Sequence, residues 1–216
     1  MIEHSDLSFP VYQQLKKMIL NGELKPGEKL LQEKLAQNLG ISRTPLLKAL
    51  QMLEFDYLVE SIPRRGMFVK KLTEKEMMDI YDVREGIESV AVRLVTERIK
   101  SDQLETLRSL WEPFADKEDI DANEYRKVDE QFHALLLDYS QNEILNKTYS
   151  QSLIKGRIIQ MGLQRPPKET IQEHLDLVAA IADGNANRAE KIIKHHIRKS
   201  KQLIVKNLKR LETSER

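Results

Sequence analysis

The chain has 216 residues, 32% charged and 40% hydrophobic, which is enough apolar material for one large or two small globular cores and too much for a disordered chain. Thirty-five basic residues against 34 acidic ones give a net charge of +1, so an anionic partner must be met by a local patch and not by a global field. The absence of cysteine excludes a disulfide framework, thiolate catalysis and cysteine-ligated zinc, and it suits a reducing cytoplasm. The polar start MIEHSDLSFP and the lack of any apolar run near ~18 residues argue against an export signal and a membrane span.

In chain order, turn-forming residues are densest between Asn21 and Gly66. The pattern predicts helices at about 8–21, 31–38 and 42–55, then a hairpin at about 57–70. Its strand formers Val59, Ile62, Met67, Phe68 and Val69 flank the turn Pro63-Arg64-Arg65-Gly66. From Thr73 the periodicity lengthens to 3.6 residues and predicts helices at about 73–99, 102–116, 121–140, 142–163, 168–183 and 185–209. Thr73 with Glu76 makes a capping box, Ser101 precedes a helix and Gly184 ends one. The expected fold is mainly α: residues 1–72 form a winged helix-turn-helix domain, and residues 73–216 an antiparallel all-α bundle of about six helices.

Within LQEKLAQNLGISRTPLLKAL, Ala36, Gly40 and Leu46 occupy the small, turn and apolar positions of a helix-turn-helix. Ser42 is a natural N-cap and Pro45 is tolerated in the first turn. Leu46, Ala49, Leu50 and Leu53 then point inward, leaving Arg43, Thr44, Leu47, Lys48 and Gln51 outward. Arg43 suits a guanine edge, Thr44 a phosphate or thymine methyl, and Lys48 a phosphate. The basic hairpin tip Arg64-Arg65-Gly66 reads as a wing reaching a neighbouring groove or backbone. A solvated helix of a small bundle would share the helix spacing but not this wing. Up to Lys70 there are ten basic and eight acidic residues, a small excess of the right sign.

The run from Val11 to Val69, with ILNGELKPGEKL, LAQNLGISRTPLLKAL and RRGMFV, resembles the winged-helix head of the GntR superfamily of bacterial transcription regulators. The resemblance implies DNA contacts at Arg43, Thr44 and the wing around Arg65 and Gly66. Two departures from that pattern stand out. Leu47-Lys48 replaces the usual Arg-Glu, and Glu33 stands where arginine is common. Lys34 and Lys48 supply charge there but not a planar bidentate donor.

In the second part, Asp129 and His133 share one helical face beside the stripe Tyr125, Val128, Phe132, Leu135, Leu136 and Tyr139. His174 joins Ile171, Leu175, Val178 and Ile181, while His196 joins Ala189, Ile193, Ile197, Ser200 and Ile204. His195 turns away to the surface. A single core histidine is usually just hydrogen-bonded, but one acid and three imidazoles facing one interior suit a divalent ion: zinc, nickel or manganese. Such an ion could also activate water, so a metal-dependent enzyme with a DNA-binding head is the alternative from another class. Against it, no nucleophile or general base stands out, since Glu130 and Glu173 are expected on other helix faces.

DEQFHALLL and EHLDLVAAIADGNANRAEKIIKHHIRKS are similar to the FCD ligand-binding domain of the FadR subgroup. That resemblance implies a metal site at Asp129, His133, His174 and His196. Arg84 and Glu88 lie four apart within the apolar stripe Met77, Ile80, Tyr81, Ile87, Ala91 and Leu94. They are either an internal salt bridge or, by resemblance for Arg84, the anchor for the carboxylate of a small organic-acid effector. Arg157 is a second effector candidate that could equally extend to solvent. The reading is a metabolite-responsive regulator, a repressor that binds a palindromic DNA operator as a homodimer, because one head contacts few base pairs.

Overall fold

Helix α1 (Ser8–Leu20) places Val11, Tyr12, Leu15 and Ile19 on one buried face by its three- and four-residue spacing. They pack against Leu46, Ala49, Leu50 and Leu53 of α3 (Arg43–Phe55), the residues expected to point inward. Between them lies α2 (Gln32–Leu39), whose end depends on Gly40 in the left-handed region at φ 64°. There the amides of Gly40 and Ile41 return to the carbonyls of Gln37 and Ala36, and the chain reverses into α3. Ser42 holds the N-cap position with extended backbone, but its side chain makes no capping bond.

Strands β1 (Val59–Ile62) and β2 (Gly66–Val69) form the antiparallel wing, pairing Val59 with Val69 and Ile62 with Gly66. Its turn is closed by the Arg65 amide donating to the Ile62 carbonyl at 3.0 Å. Pro63 and Arg64 take the two central positions, and Arg64 adopts φ 63°, as the second of these requires in a type II turn. Glycine usually holds that position, so the arginine is kept there at a conformational cost.

The computed structural model describes residues 7–114, 117–151 and 165–214, and contacts divide them into two compact units that meet between Leu72 and Thr73. The second unit begins with α4 (Glu74–Arg98), started by the expected capping box: Thr73 Oγ1 accepts from the Glu76 amide, and the Glu76 carboxylate accepts from Thr73 N–H. Then follow α5 (Ser101–Ser109), a 3₁₀ turn (Glu112–Phe114), α6 (Ala122–Tyr139), α7 (Glu143–Gln151), α8 (Pro167–Ala182) and α9 (Ala186–Ser214). The helix expected to run to residue 116 thus stops at Ser109. Pro113 has no N–H for the Ser109 carbonyl, and the chain instead turns Trp111 and Phe114 into the core. Of the helix expected at 142–163, the described part is α7; the remainder lies outside the described residues.

Helices α4 and α9 run antiparallel, as their rim pairs show. Lys201 donates to Asp82, Arg198 makes a two-bonded pair with Glu85, and Arg93 reaches Glu190. Beneath them Val92, Val95, Trp111, Tyr125, Phe132, Leu136 and Ile193 are almost fully buried. No described helix is long and apolar enough to cross a membrane.

Candidate functional site

Four helical positions converge in the second unit: Asp129 and His133 one turn apart on α6, His174 on α8 and His196 on α9. One donor atom from each lies within 4.8 Å of the others. The imidazoles are buried and Asp129 is half-buried. Asp129 Oδ1 is 3.5 Å from His174 Nε2 and 3.8 Å from His133 Nε2, too far for good hydrogen bonds but close to the spacing of two donors on one ion. His133 Nε2 and both ring nitrogens of His174 have no hydrogen-bond partner among the described residues. Buried polar atoms left this way are costly, and a divalent ion bound by His133 Nε2 and His174 Nε2 would remove that cost for those two.

Outside these four, two carboxylates set the imidazole orientations. Glu88 Oε2 accepts from His133 Nδ1 at 2.7 Å, and Glu173 Oε2 accepts from His196 Nδ1 at 2.9 Å. Each bond places the proton on Nδ1 and leaves Nε2 with its lone pair for a metal. Each carboxylate is in turn held by an arginine. Arg84 Nε donates to Glu88 Oε1 at 2.5 Å, while Arg165 grips both oxygens of Glu173 at 2.5 and 2.6 Å. The result is two arginine–glutamate–histidine chains ending at one point. Asp129 is itself fixed by the Tyr125 hydroxyl at 2.9 Å, and Trp111 stacks on His174 at 4.3 Å between ring centroids. The aromatic wall keeps water from one side of the cluster.

The charges follow from this arrangement. Burial alone would raise the Glu88 pKa, but Arg84 and His133 outweigh it and hold the carboxyl at about 2. Burial also opposes the charge on Glu173, and the bonds from His196 and Arg165 more than reverse that, so it stays ionised. His174 is driven well below its ordinary value by burial and by the neighbouring His196 and His133, which keeps it neutral and able to bind metal. His196 is lowered chiefly by burial, although Glu173 pulls the other way.

Glu173 therefore departs from expectation. It does point away from His174, its neighbour in sequence, but that direction brings it to His196 on α9. Residue spacing within one helix cannot show a partner on another. Arg165 was missed for the same reason, since it precedes α8 in a segment without periodicity. Arg84 is buried, paired to Glu88 and set over the Tyr81 ring at 5.8 Å, so the salt bridge weighed from sequence exists. Arg157 lies outside the described residues.

In the first unit, Ser42, Arg43, Thr44 and Lys48 lie on the exposed side of α3, together with Leu47 and Gln51. Arg64, Arg65 and Gly66 form the exposed wing tip, with the Arg65 guanidinium over the Phe68 ring at 5.5 Å. A groove of about 630 Å³ runs between this tip and the start of α2, lined by Lys29, Glu33, Lys34, Arg64 and Arg65 among others. Arg43 Nη2 donates to Glu33 Oε1, an ion pair that joins the starts of α2 and α3.

Residues 7–69 match the gntR family of bacterial regulatory proteins, and residues 79–199 match the FCD domain. YdhC, an HTH-type transcriptional regulator of Bacillus subtilis (strain 168), is 31% identical over 190 residues, covering 86% of this chain and 85% of its own. The chain belongs to the GntR family. It is a DNA-binding transcriptional regulator with an FCD domain, as the sequence resemblance implied. The Nta operon transcriptional regulator of Aminobacter aminovorans is 29% identical over 182 residues, covering 84% of this GntR regulator and 87% of its own length. In fold, Escherichia coli McbR/YncC superposes with a TM-score of 0.70 at 23% identity, over 96% of this chain and 100% of that one. The two curated relatives are regulators by name, which sets aside the enzymatic alternative.

Proposed function

We propose that this GntR regulator is a cytoplasmic repressor that releases a palindromic operator when a small organic acid binds beside a divalent metal. Residues 1–72 form the DNA-binding domain, with Ser42, Arg43, Thr44, Lys48, Arg64, Arg65 and Gly66 facing DNA. Residues 73–216 form the effector and metal domain. The observation that carries this reading is the cluster of Asp129, His133, His174 and His196 with its unpaired imidazole nitrogens, joined through Glu88 to the buried cation of Arg84. Three imidazoles and one carboxylate suit zinc over harder ions, with nickel or manganese as alternatives. A bound ion would supply a fixed positive charge for a carboxylate, and Arg84 would supply the second.

Homodimerisation is supported by α4, where Val83 and Val90 are each nearly half exposed on a face shared with Gly86 and Ile87. Coupling to DNA is supported by the connection Lys70-Lys71-Leu72, which leaves little slack between β2 and α4. An effector that draws on Arg84 strains the helix that follows the wing. A tenfold loss of operator affinity needs only about 1.4 kcal/mol of such coupling.

The test begins with a thermal-shift screen of cytoplasmic organic acids on the metal-loaded protein, followed by operator titrations with each hit. Arg84→Met leaves the Glu88 charge unpaired and lowers stability, so it is compared with wild type at a temperature where both are folded by circular dichroism and metal-loaded. There it should still bind operator and need roughly tenfold more effector for release. Normal release from that variant, or hits without a carboxylate, would leave Arg84 as the partner of Glu88 and nothing more.

A further inference from the structure

The ion pair between Glu33 and Arg43 is oddly placed for a stabilising contact. Both side chains are largely in solvent, at 81% and 66% exposure, where such pairs contribute little to stability. Yet it spans two helices, and among the described residues lining the groove beside the wing Glu33 is the one acid amid Lys29, Lys34, Arg64 and Arg65. A carboxylate on a surface built to meet phosphates opposes binding to DNA in general. Its position also has a local rationale. Arg43 is the first residue of α3, where the positive end of the helix dipole disfavours a cation, whereas Glu33 in the first turn of α2 is favoured.

We propose that Glu33 is a positioning residue for base recognition, bracing Arg43 against a guanine edge and weakening attachment to every other sequence. The hydrogen count permits it. A guanidinium carries five N–H donors, a bidentate contact to guanine O6 and N7 uses two, and the Nη2 bond to Glu33 uses a third. Held by Glu33, the long arginine side chain loses less rotamer freedom on meeting its base, and it is less free to reach a phosphate instead. Specificity then comes from both an added attraction and an added repulsion. This inference rests on the DNA-facing assignment of α3 and the wing.

An operator is first selected from a random DNA library with the full-length protein, and its affinity is compared with that of a scrambled duplex at fixed salt. Glu33→Gln should tighten the scrambled duplex several-fold and cut the operator-to-scrambled ratio about tenfold, the scale of one base contact. Guanine preference should relax at one position per half-site. In an Arg43→Ala background the same change should leave base preference untouched. The inference is overturned if Glu33→Gln scales both affinities by one factor, if its effect on base preference persists without Arg43, or if thermal stability changes while base preference does not. Failure of the wild-type chain to select any DNA would instead remove the operator reading on which the inference stands.

Discussion

His195 and His196 are neighbours on α9, yet one meets solvent and the other is buried against Glu173. A step of 100° along a helix is enough to separate them. His196→Ala should abolish stoichiometric metal and lower the melting temperature of metal-loaded protein, since an ion at a hundred times its Kd stabilises the native state by about 2.7 kcal/mol. His195→Ala should do neither. Elemental analysis and thermal melts of the two variants decide it, and equal metal in both would refute the assignment of the α9 face. At this scale much was legible in the sequence, because the four clustered residues lie in or beside the apolar stripes of their three helices. What periodicity could not supply was the pairing across helices, so Glu88 was visible only as a partner for Arg84, and Glu173 and Arg165 were not visible as a pair at all.

On helix α4 the buried charges have a structural as well as a chemical role. The Arg84 and Glu88 side chains are 5% and 0% exposed, so removing either partner strands the other charge in the core. Glu88→Gln should destabilise the fold by about 3–5 kcal/mol and weaken metal binding by roughly 10–100-fold. Glu173, at 14% exposure and also met by Lys199, is less enclosed. Glu173→Gln should therefore weaken metal by a similar factor at a smaller cost to stability. Urea unfolding of the metal-free variants and metal titration against a competing chelator separate the two effects. Element boundaries were readable where a local device sets them, as at Thr73 with Glu76 and at Gly184. They were less readable at Ser109, where the helix yields to Pro113 and to the burial of Trp111.

For the whole molecule, the exposed apolar stripe on α4 bears on assembly. If the proposed homodimer forms through this stripe, Val83→Glu combined with Val90→Glu should convert it to monomer in sedimentation and lower operator affinity steeply, with any metal bound by the wild type retained. A variant that remains dimeric would place the interface elsewhere. The division into a small winged unit and a helical unit was legible from the change of period near residue 70, because turn-rich and helix-rich segments differ in composition as well as pattern. One carboxylate inside the helical unit sets a further condition. Glu88 gives one oxygen to Arg84 and the other to His133, so the basicity of that imidazole depends on how fully the arginine is engaged. On the proposed reading, a ligand that drew Arg84 away would free Glu88 to pull harder on the His133 proton, which would make Nε2 a better donor to a bound ion. Thermodynamic reciprocity then requires the ion to favour that ligand by the same factor. The threshold concentration of the metabolite would be set in part by the free metal of the cell, and one regulator would report on two supplies at once.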